Sequence, residues 1–181
     1  MMSADPYQYR RGAEMLYSEQ DVSSAILSIA TALNAVYQDE PPIVLSVMNG
    51  ATYFTGQLLS HLDFPLELDY VHATRYQGGV EGKNVRWIVK PKAEVKNRSV
   101  VVLDDILDEG VTLQSIVDAC HALGAKQVEV AVLVDKALNK TKPLTADYVG
   151  ITAPNRYLFG CGMDINGWWR NLPAIYALKH D

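Results

Sequence analysis

The chain is poor in the residues that mark the commoner kinds of functional site. Its 181 residues hold 2 cysteines and 4 histidines, and neither set shows a metal-ligand or catalytic spacing. Cys120 and Cys161 lie in apolar surroundings and read as buried free thiols, which suits a reducing, cytoplasmic setting rather than a disulfide framework or a zinc site. His61, His72, His121 and His180 read as surface or satisfied core histidines. Positive charge is in deficit, with 16 basic against 21 acidic residues and a net charge of −5. That balance disfavours nonspecific nucleic-acid binding, and a polyanionic substrate would need help from a metal ion. No stretch approaches the roughly 18 uninterrupted apolar residues of a membrane span. Met1 to Tyr17 has charges and tyrosines but no apolar core, and internal repeats and low-complexity segments are missing. A soluble, unprocessed protein with neither a nucleic-acid nor a membrane partner is expected.

What is present is apolar material, 49% of the chain, enough for one well-filled α/β domain and too little chain for two ordinary ones. Ser18 with Asp21 makes a capping-box-like start, and Val22, Ile26, Ile29, Leu33 and Val36 then recur at spacings of four and three, predicting an amphipathic helix that ends before Pro41-Pro42. Ile43 to Met48 predicts a short strand, and Phe54, Leu58 and Leu59 after Gly50 a helix. Leu66 to His72 and Val85 to Val89 read as strands around a glycine-rich stretch. Thr112 to Leu123 reads as a helix capped by Gly124, followed by a strand in which Val128, Val130, Val132 and Val134 alternate. Later strand candidates are Tyr148 to Ile151, Tyr157 to Phe159 and Ala174 to Leu178, placed over the ligand-binding edge of the sheet. Strands alternating with helices imply a mostly parallel sheet.

The most informative run is Val100-Val101-Val102-Leu103-Asp104-Asp105-Ile106-Leu107-Asp108-Glu109-Gly110-Val111-Thr112-Leu113. Its apolar start reads as a buried strand and Thr112 onward as a helix, so the acids and Gly110 fall on the turn between, where open α/β sheets bind their ligands. Two adjacent carboxylates offer acceptors to a pair of sugar hydroxyls. Gly110 and the helix start offer backbone N–H groups to a phosphate. An acidic strand-to-helix turn in some other α/β protein has the same local composition.

This run resembles the signature of the type I phosphoribosyltransferases. The resemblance implies an α/β fold with a mostly parallel central sheet flanked by helices, a small hood and a mobile lid loop. It covers 1–181 as a single domain, with segments of about 1–40 and about 143–181 contributing the hood. It implies that Asp104 and Asp105 hold the ribose hydroxyls of phosphoribosyl pyrophosphate and that Asp108 to Thr112 cradle its 5-phosphate. Glu109 and Val111 stand where this family often has Thr and Lys, so phosphate contacts would fall to backbone N–H groups, Gly110 and Thr112.

Further motifs are similar to those of the hypoxanthine-guanine branch. Lys136 closes Val132-Leu133-Val134-Asp135-Lys136 and by resemblance donates to the 6-oxo group of a purine, whereas adenine would present donor to donor. Tyr157-Leu158-Phe159-Gly160-Cys161-Gly162-Met163-Asp164, with Arg170 six positions on, resembles the closing motif. There Tyr157 would stack on the base, Leu158 and Met163 would border it, Asp164 would bind Mg²⁺ together with Asp104 and Asp105, and Arg170 would bind pyrophosphate. Trp168 and Trp169 read as core packing. Met48-Asn49-Gly50 occupies the place of a pyrophosphate loop that often carries a cis peptide, expected here at Met48-Asn49. Asn49 replaces a basic residue common there. Thr74 to Gly82, with Arg75 and Tyr76, would be the lid that excludes water.

The resemblance thus implies a Mg²⁺-dependent enzyme of purine salvage. It would transfer phosphoribosyl to hypoxanthine or guanine, with Asp108 as general base, and assemble as a homodimer or homotetramer. A xanthine-preferring enzyme would share these motifs. So would a nucleotide-sensing regulator built on the fold, against which the acidic balance, the absence of a helix-turn-helix domain, Lys136 and Asp108 count.

Overall fold

Ile43 to Val47, Val100 to Leu103 and Val130 to Val134 are apolar at all but one position, the pattern of strands covered on both faces. They are the three central strands of the main sheet in the structure, a computed structural model that describes residues 5–75 and 85–179, apart from the side chains of Arg75 and Ala93. The exception, Ser46, is buried and shares a 2.8 Å hydrogen bond with Thr55.

The described elements run, in order, α1 (Pro6–Arg11), β1 (Ala13–Tyr17), α2 (Glu19–Val36), β2 (Ile43–Val47), α3 (Thr52–Leu59), β3 (Glu67–Arg75), β4 (Val85–Val89), a 3₁₀ turn (Ala93–Val95), β5 (Ser99–Leu107), α4 (Val111–Ala122), β6 (Gln127–Ala137), β7 (Tyr148–Pro154), β8 (Leu158–Phe159) and β9 (Ile175–Leu178). The main sheet has the order β4-β3-β2-β5-β6-β7, parallel except at β4. Alternation along the strands sorts two cores. Val44, Val101, Leu103 and Leu133 face α2 and α3, while Leu45, Val100, Val102 and Val132 face α4. The chain leaves β2 toward β3 on one side and later fills β5, β6 and β7 on the other. The strand order therefore reverses between β2 and β5, and a crevice opens there at the carboxyl ends.

The terminal segments divide between two layers. β1, β9 and β8 form a separate three-stranded antiparallel sheet, whereas α2 packs on β6 and β7, and β7 is the edge strand of the main sheet. β1 has no counterpart among the predicted elements. The α2 stripe also departs at its end, where Val36 is exposed. A strict four-three spacing has a period of 3.5, so it drifts about 20° per heptad around a straight helix, and the fifth residue leaves the buried face. Trp168 is half-exposed rather than packed in a core. Trp169 is packed, donating from Nε1 to the Pro6 carbonyl at 2.7 Å and meeting Tyr7 edge-on. Both cysteines are buried and free. Among the described residues no helix is long and apolar enough to cross a membrane.

The capping box that starts α2 is complete: the Asp21 N–H donates to Ser18 Oγ at 3.2 Å, and the Ser18 N–H donates to Asp21 Oδ2 at 2.8 Å. Ser18→Ala is expected to cost about 1 kcal/mol, a fall of roughly 2–4 °C in Tm for a chain of this size. An unchanged thermal melt would show that α2 is held by packing alone.

Candidate active site

The crevice is a cavity of about 610 Å³ walled by the carboxyl ends of β2, β3, β5 and β6 and by the segment after β8. It contains Met48, Asn49 and Gly50 from the turn after β2, Asp104, Asp105, Asp108, Glu109, Gly110 and Thr112 from β5 and the turn after it, and Lys136 from β6. Tyr157, Leu158, Met163, Asp164 and Arg170 complete the wall. These are nearly all of the residues expected at a site. Val111, the first residue of α4, is absent from the lining, and the Arg75 side chain lies outside the described residues. Tyr76 and the rest of the expected lid to Gly82 lie outside the described residues. The wall also includes His72, Ala73 and Thr74 of β3, and Ile106. His72 was read as a structural histidine because no spacing in sequence shows that β3 ends beside β2; only the strand order does.

Asp104 and Asp105 do not sit on the turn, as the run of residues suggested, but inside β5, 9% and 7% exposed. The strand pairs with β6 as far as Leu107, so ladder hydrogen bonds carry the backbone past both acids. Burial and the neighbouring Asp105 charge hold the Asp104 carboxyl well above the ordinary carboxylate range. Burial also raises Asp105, opposed by its hydrogen bond from Asp104 and by the Arg170 charge. Of the two, Asp104 is the acid more strongly biased toward its neutral form.

Close backbone approach fixes this pair in place. A Cβ on Gly50 would lie 2.3 Å from Asp105 Oδ2, and one on Gly162, at φ +101°, would lie 1.9 Å from the Gly50 carbonyl oxygen. The turn after β2, the segment after β8 and β5 thus touch with no side chain between them. The Met48-Asn49 peptide in this turn is cis. Beyond β5, Gly110 takes φ +80° and serves as the N-cap of α4 without a side-chain cap, leaving the first N–H groups of a twelve-residue helix directed to the cavity end. Glu109, on the same turn, pairs with Lys140.

Asp108 and Lys136 meet across the ends of β5 and β6, with Nζ 3.5 Å from Oδ2 and the lysine side chain 14% exposed. Tyr157, 47% exposed, lines the same cavity. Arg170 pairs with Asp164 at 2.6 Å and donates to the Gly162 carbonyl at 2.7 Å, while Asp164 accepts from the Gly167 N–H at 2.7 Å. Among the described residues no three acids, cysteines or histidines converge as a metal cage. Among the carboxylates that line the cavity, those of Asp104, Asp105 and Asp164 are hard oxygen ligands of the kind that hold Mg²⁺ jointly with phosphate oxygens.

The profile of the phosphoribosyl transferase domain matches residues 12–166. The chain belongs to that family. It is 34% identical to the hypoxanthine-guanine-xanthine phosphoribosyltransferase of Tritrichomonas foetus over 91% of each chain. It is 30% identical to the hypoxanthine-guanine phosphoribosyltransferase of Bacillus subtilis over 92% of this chain and 93% of that one. The fold superposes on a crystal structure of a hypoxanthine phosphoribosyltransferase from Staphylococcus aureus with a TM-score of 0.88 at 28% identity, covering 98% of this chain and 97% of the other. The run from Val100 to Leu113 lies within the matched residues, and β5 carries its first part.

The raised Asp104 has a consequence for stability. Well below pH 3.8, folded and unfolded chains both hold the proton. As pH rises the unfolded carboxyl ionises first, so stability is lost from there upward until folded Asp104 also ionises. Asp104→Asn, whose amide donates to Asp105 as the neutral acid does, is expected to raise the Tm of the ligand-free protein near pH 7 by roughly 3 °C or more, about 1 kcal/mol, with a smaller gain near pH 4. Melts across pH check this; a lower Tm at pH 7 would contradict the upward displacement of Asp104.

Proposed function

We propose that this enzyme of purine salvage transfers the 5-phosphoribosyl group from phosphoribosyl pyrophosphate to hypoxanthine or guanine, giving inosine or guanosine monophosphate and pyrophosphate. The observation that carries the reading is the Asp108–Lys136 pair, set at the ends of adjacent strands in a cavity that two buried carboxylates also line. The relatives are named as enzymes that act on these bases, which disfavours a nucleotide-sensing regulator.

The residues divide the substrate between them. Asp104 and Asp105 accept the ribose hydroxyls, and the backbone of 108–112 with the Thr112 hydroxyl holds the 5-phosphate. The base lies on Tyr157 beside Leu158 and Met163, with its 6-oxo group on Lys136. An amino group at that position would leave a buried donor facing a donor, a loss of roughly 1–3 kcal/mol. Asn49 and Gly50 approach the pyrophosphate through backbone groups, and Arg170 supplies the cation that Asn49 does not. Arg75 and Tyr76 belong to the lid in this reading. As the bond at the anomeric carbon breaks, positive charge grows on the sugar and negative charge on pyrophosphate, where Arg170 stabilises it. Asp108 accepts the proton from the imidazole ring of the purine as the new bond forms. Mg²⁺, held by Asp164, Asp104 and Asp105 together with the substrate, would neutralise pyrophosphate charge. A homodimer or homotetramer in the cytoplasm completes the proposal; the buried free thiols of Cys120 and Cys161 suit that setting.

Ultraviolet absorbance changes with Mg²⁺, phosphoribosyl pyrophosphate and each base in turn test the reading. Turnover is expected with hypoxanthine and guanine and at least about tenfold less with adenine. Binding of phosphoribosyl pyrophosphate without turnover of any base would overturn it in favour of a sensor. Asp108→Asn is expected to lower kcat by about a hundredfold or more while leaving the affinity for phosphoribosyl pyrophosphate nearly unchanged. Equal losses in both would remove Asp108 from the role of base.

A further inference from the structure

We propose that Lys142, which lies outside the cavity lining, is a positioning residue that sets the spacing of Asp108 and Lys136 and thereby governs base recognition; this rests on the transferase reading above. Lysine is among the residues least often buried, because its ammonium loses hydration unless it is paired and hydrogen-bonded. Lys142, in the segment between β6 and β7, is nevertheless only 12% exposed. Its Nζ donates to the Leu107 carbonyl at 2.7 Å and to the Asp135 carboxylate.

Those two partners occupy a particular place. Leu107 and Asp135 are the last paired residues of the β5–β6 ladder. The residues that follow them are Asp108 and Lys136, the pair assigned to the imidazole ring and the 6-oxo group. Beyond the ladder the chains part: β5 turns into the phosphate cradle, while Lys136 and Ala137 continue in register with Ala153 and Pro154 of β7. One ammonium thus ties the end of β5 to the end of β6 at the point where the ladder stops doing so. The tie acts through the Leu107 carbonyl, which belongs to the same rigid peptide unit as the Asp108 N–H, and through the Asp135 side chain, one residue before Lys136.

The phosphate cradle has separate supports from the same segment. Pro143 packs against Gly110, its Cδ lying 3.3 Å from where a Gly110 Cβ would sit, and Lys140 pairs with Glu109. Loss of the Lys142 ammonium should therefore loosen the base-recognising pair while leaving the phosphate turn held. The signature is an effect on the base that is not matched by an effect on phosphoribosyl pyrophosphate. A cross-link of purely structural value would lower Tm and move neither.

The experiment is steady-state kinetics of the full chain with hypoxanthine and phosphoribosyl pyrophosphate varied separately, alongside thermal melts, for wild type, Lys142→Met and Lys142→Arg. Lys142→Met keeps the apolar stem and removes the charge. It is expected to lose about tenfold to a hundredfold in kcat/KM for hypoxanthine while KM for phosphoribosyl pyrophosphate stays within about twofold, and Lys142→Arg is expected to restore most of the loss. Wild-type kcat/KM for hypoxanthine in a folded Lys142→Met protein, or equal losses for both substrates, would overturn the assignment. If Lys142→Met does not fold, Asp135→Asn carries the test by removing the anionic half of the tie: a smaller loss confined to hypoxanthine supports the role, and unchanged constants overturn it. A wild-type protein inert toward every 6-oxopurine would overturn the transferase reading itself, an outcome distinct from a failure of Lys142 alone.

Discussion

Two carboxylates in the middle of a sheet are the constraint around which this molecule is organised. Asp104 and Asp105 lie in β5, the strand flanked by β2 and β6 and covered by helices on both faces. Burying two adjacent acids costs free energy: burial raises both carboxyls, and the Arg170 charge opposes the rise at Asp105. The surroundings are shaped to the same end. Gly50 and Gly162 strip the neighbouring turns of side chains so that backbone can close against Asp105, and the segment that holds Gly162 also supplies Asp164 and Arg170.

The strand order explains why so many unlike residues meet there. Because the chain proceeds outward from β2 in one direction and from β5 in the other, two turns face each other across the reversal, one of backbone character at Met48 to Gly50 and one with a helix start at Asp108 to Thr112. The phosphate end of a substrate and its leaving group need such separated cradles, with the acids between them. β6 places Lys136 next to Asp108, and the small sheet of β1, β9 and β8 brings Tyr157 and Leu158 over the opening. In the proposed reading, recognition of the base is built on different elements from recognition of the sugar phosphate, so a residue such as Lys142 would bear on one and not the other.

Much of this was legible in the sequence where function and local structure coincide. The run from Val100 to Leu113 announces strand, acids, glycine turn and helix in order, and the Ser18–Asp21 box and the valines of β6 mark their elements by periodicity. What escaped reading depended on distant pairing. β1 is a strand because β9, more than 150 residues away, pairs with it, and nothing within Ala13 to Tyr17 alternates cleanly. Asp104 and Asp105 looked like turn residues because acids are rare in central strands; the ladder to β6 carries them inside. His72 and Ile106 join the site only through strand order, and the burial of Lys142 depends on a carbonyl 35 residues before it in the chain.

The most direct measurement is a crystal structure of the protein with inosine monophosphate bound. The ribose hydroxyls should lie within hydrogen-bond reach of Asp104 and Asp105, the phosphate on the 108–112 turn, and the 6-oxo group on Lys136 with the base over Tyr157. A nucleotide bound with its phosphate at Arg170, or with its ribose away from the β5 pair, would contradict the assignment of this crevice and the organising role given to its two buried acids.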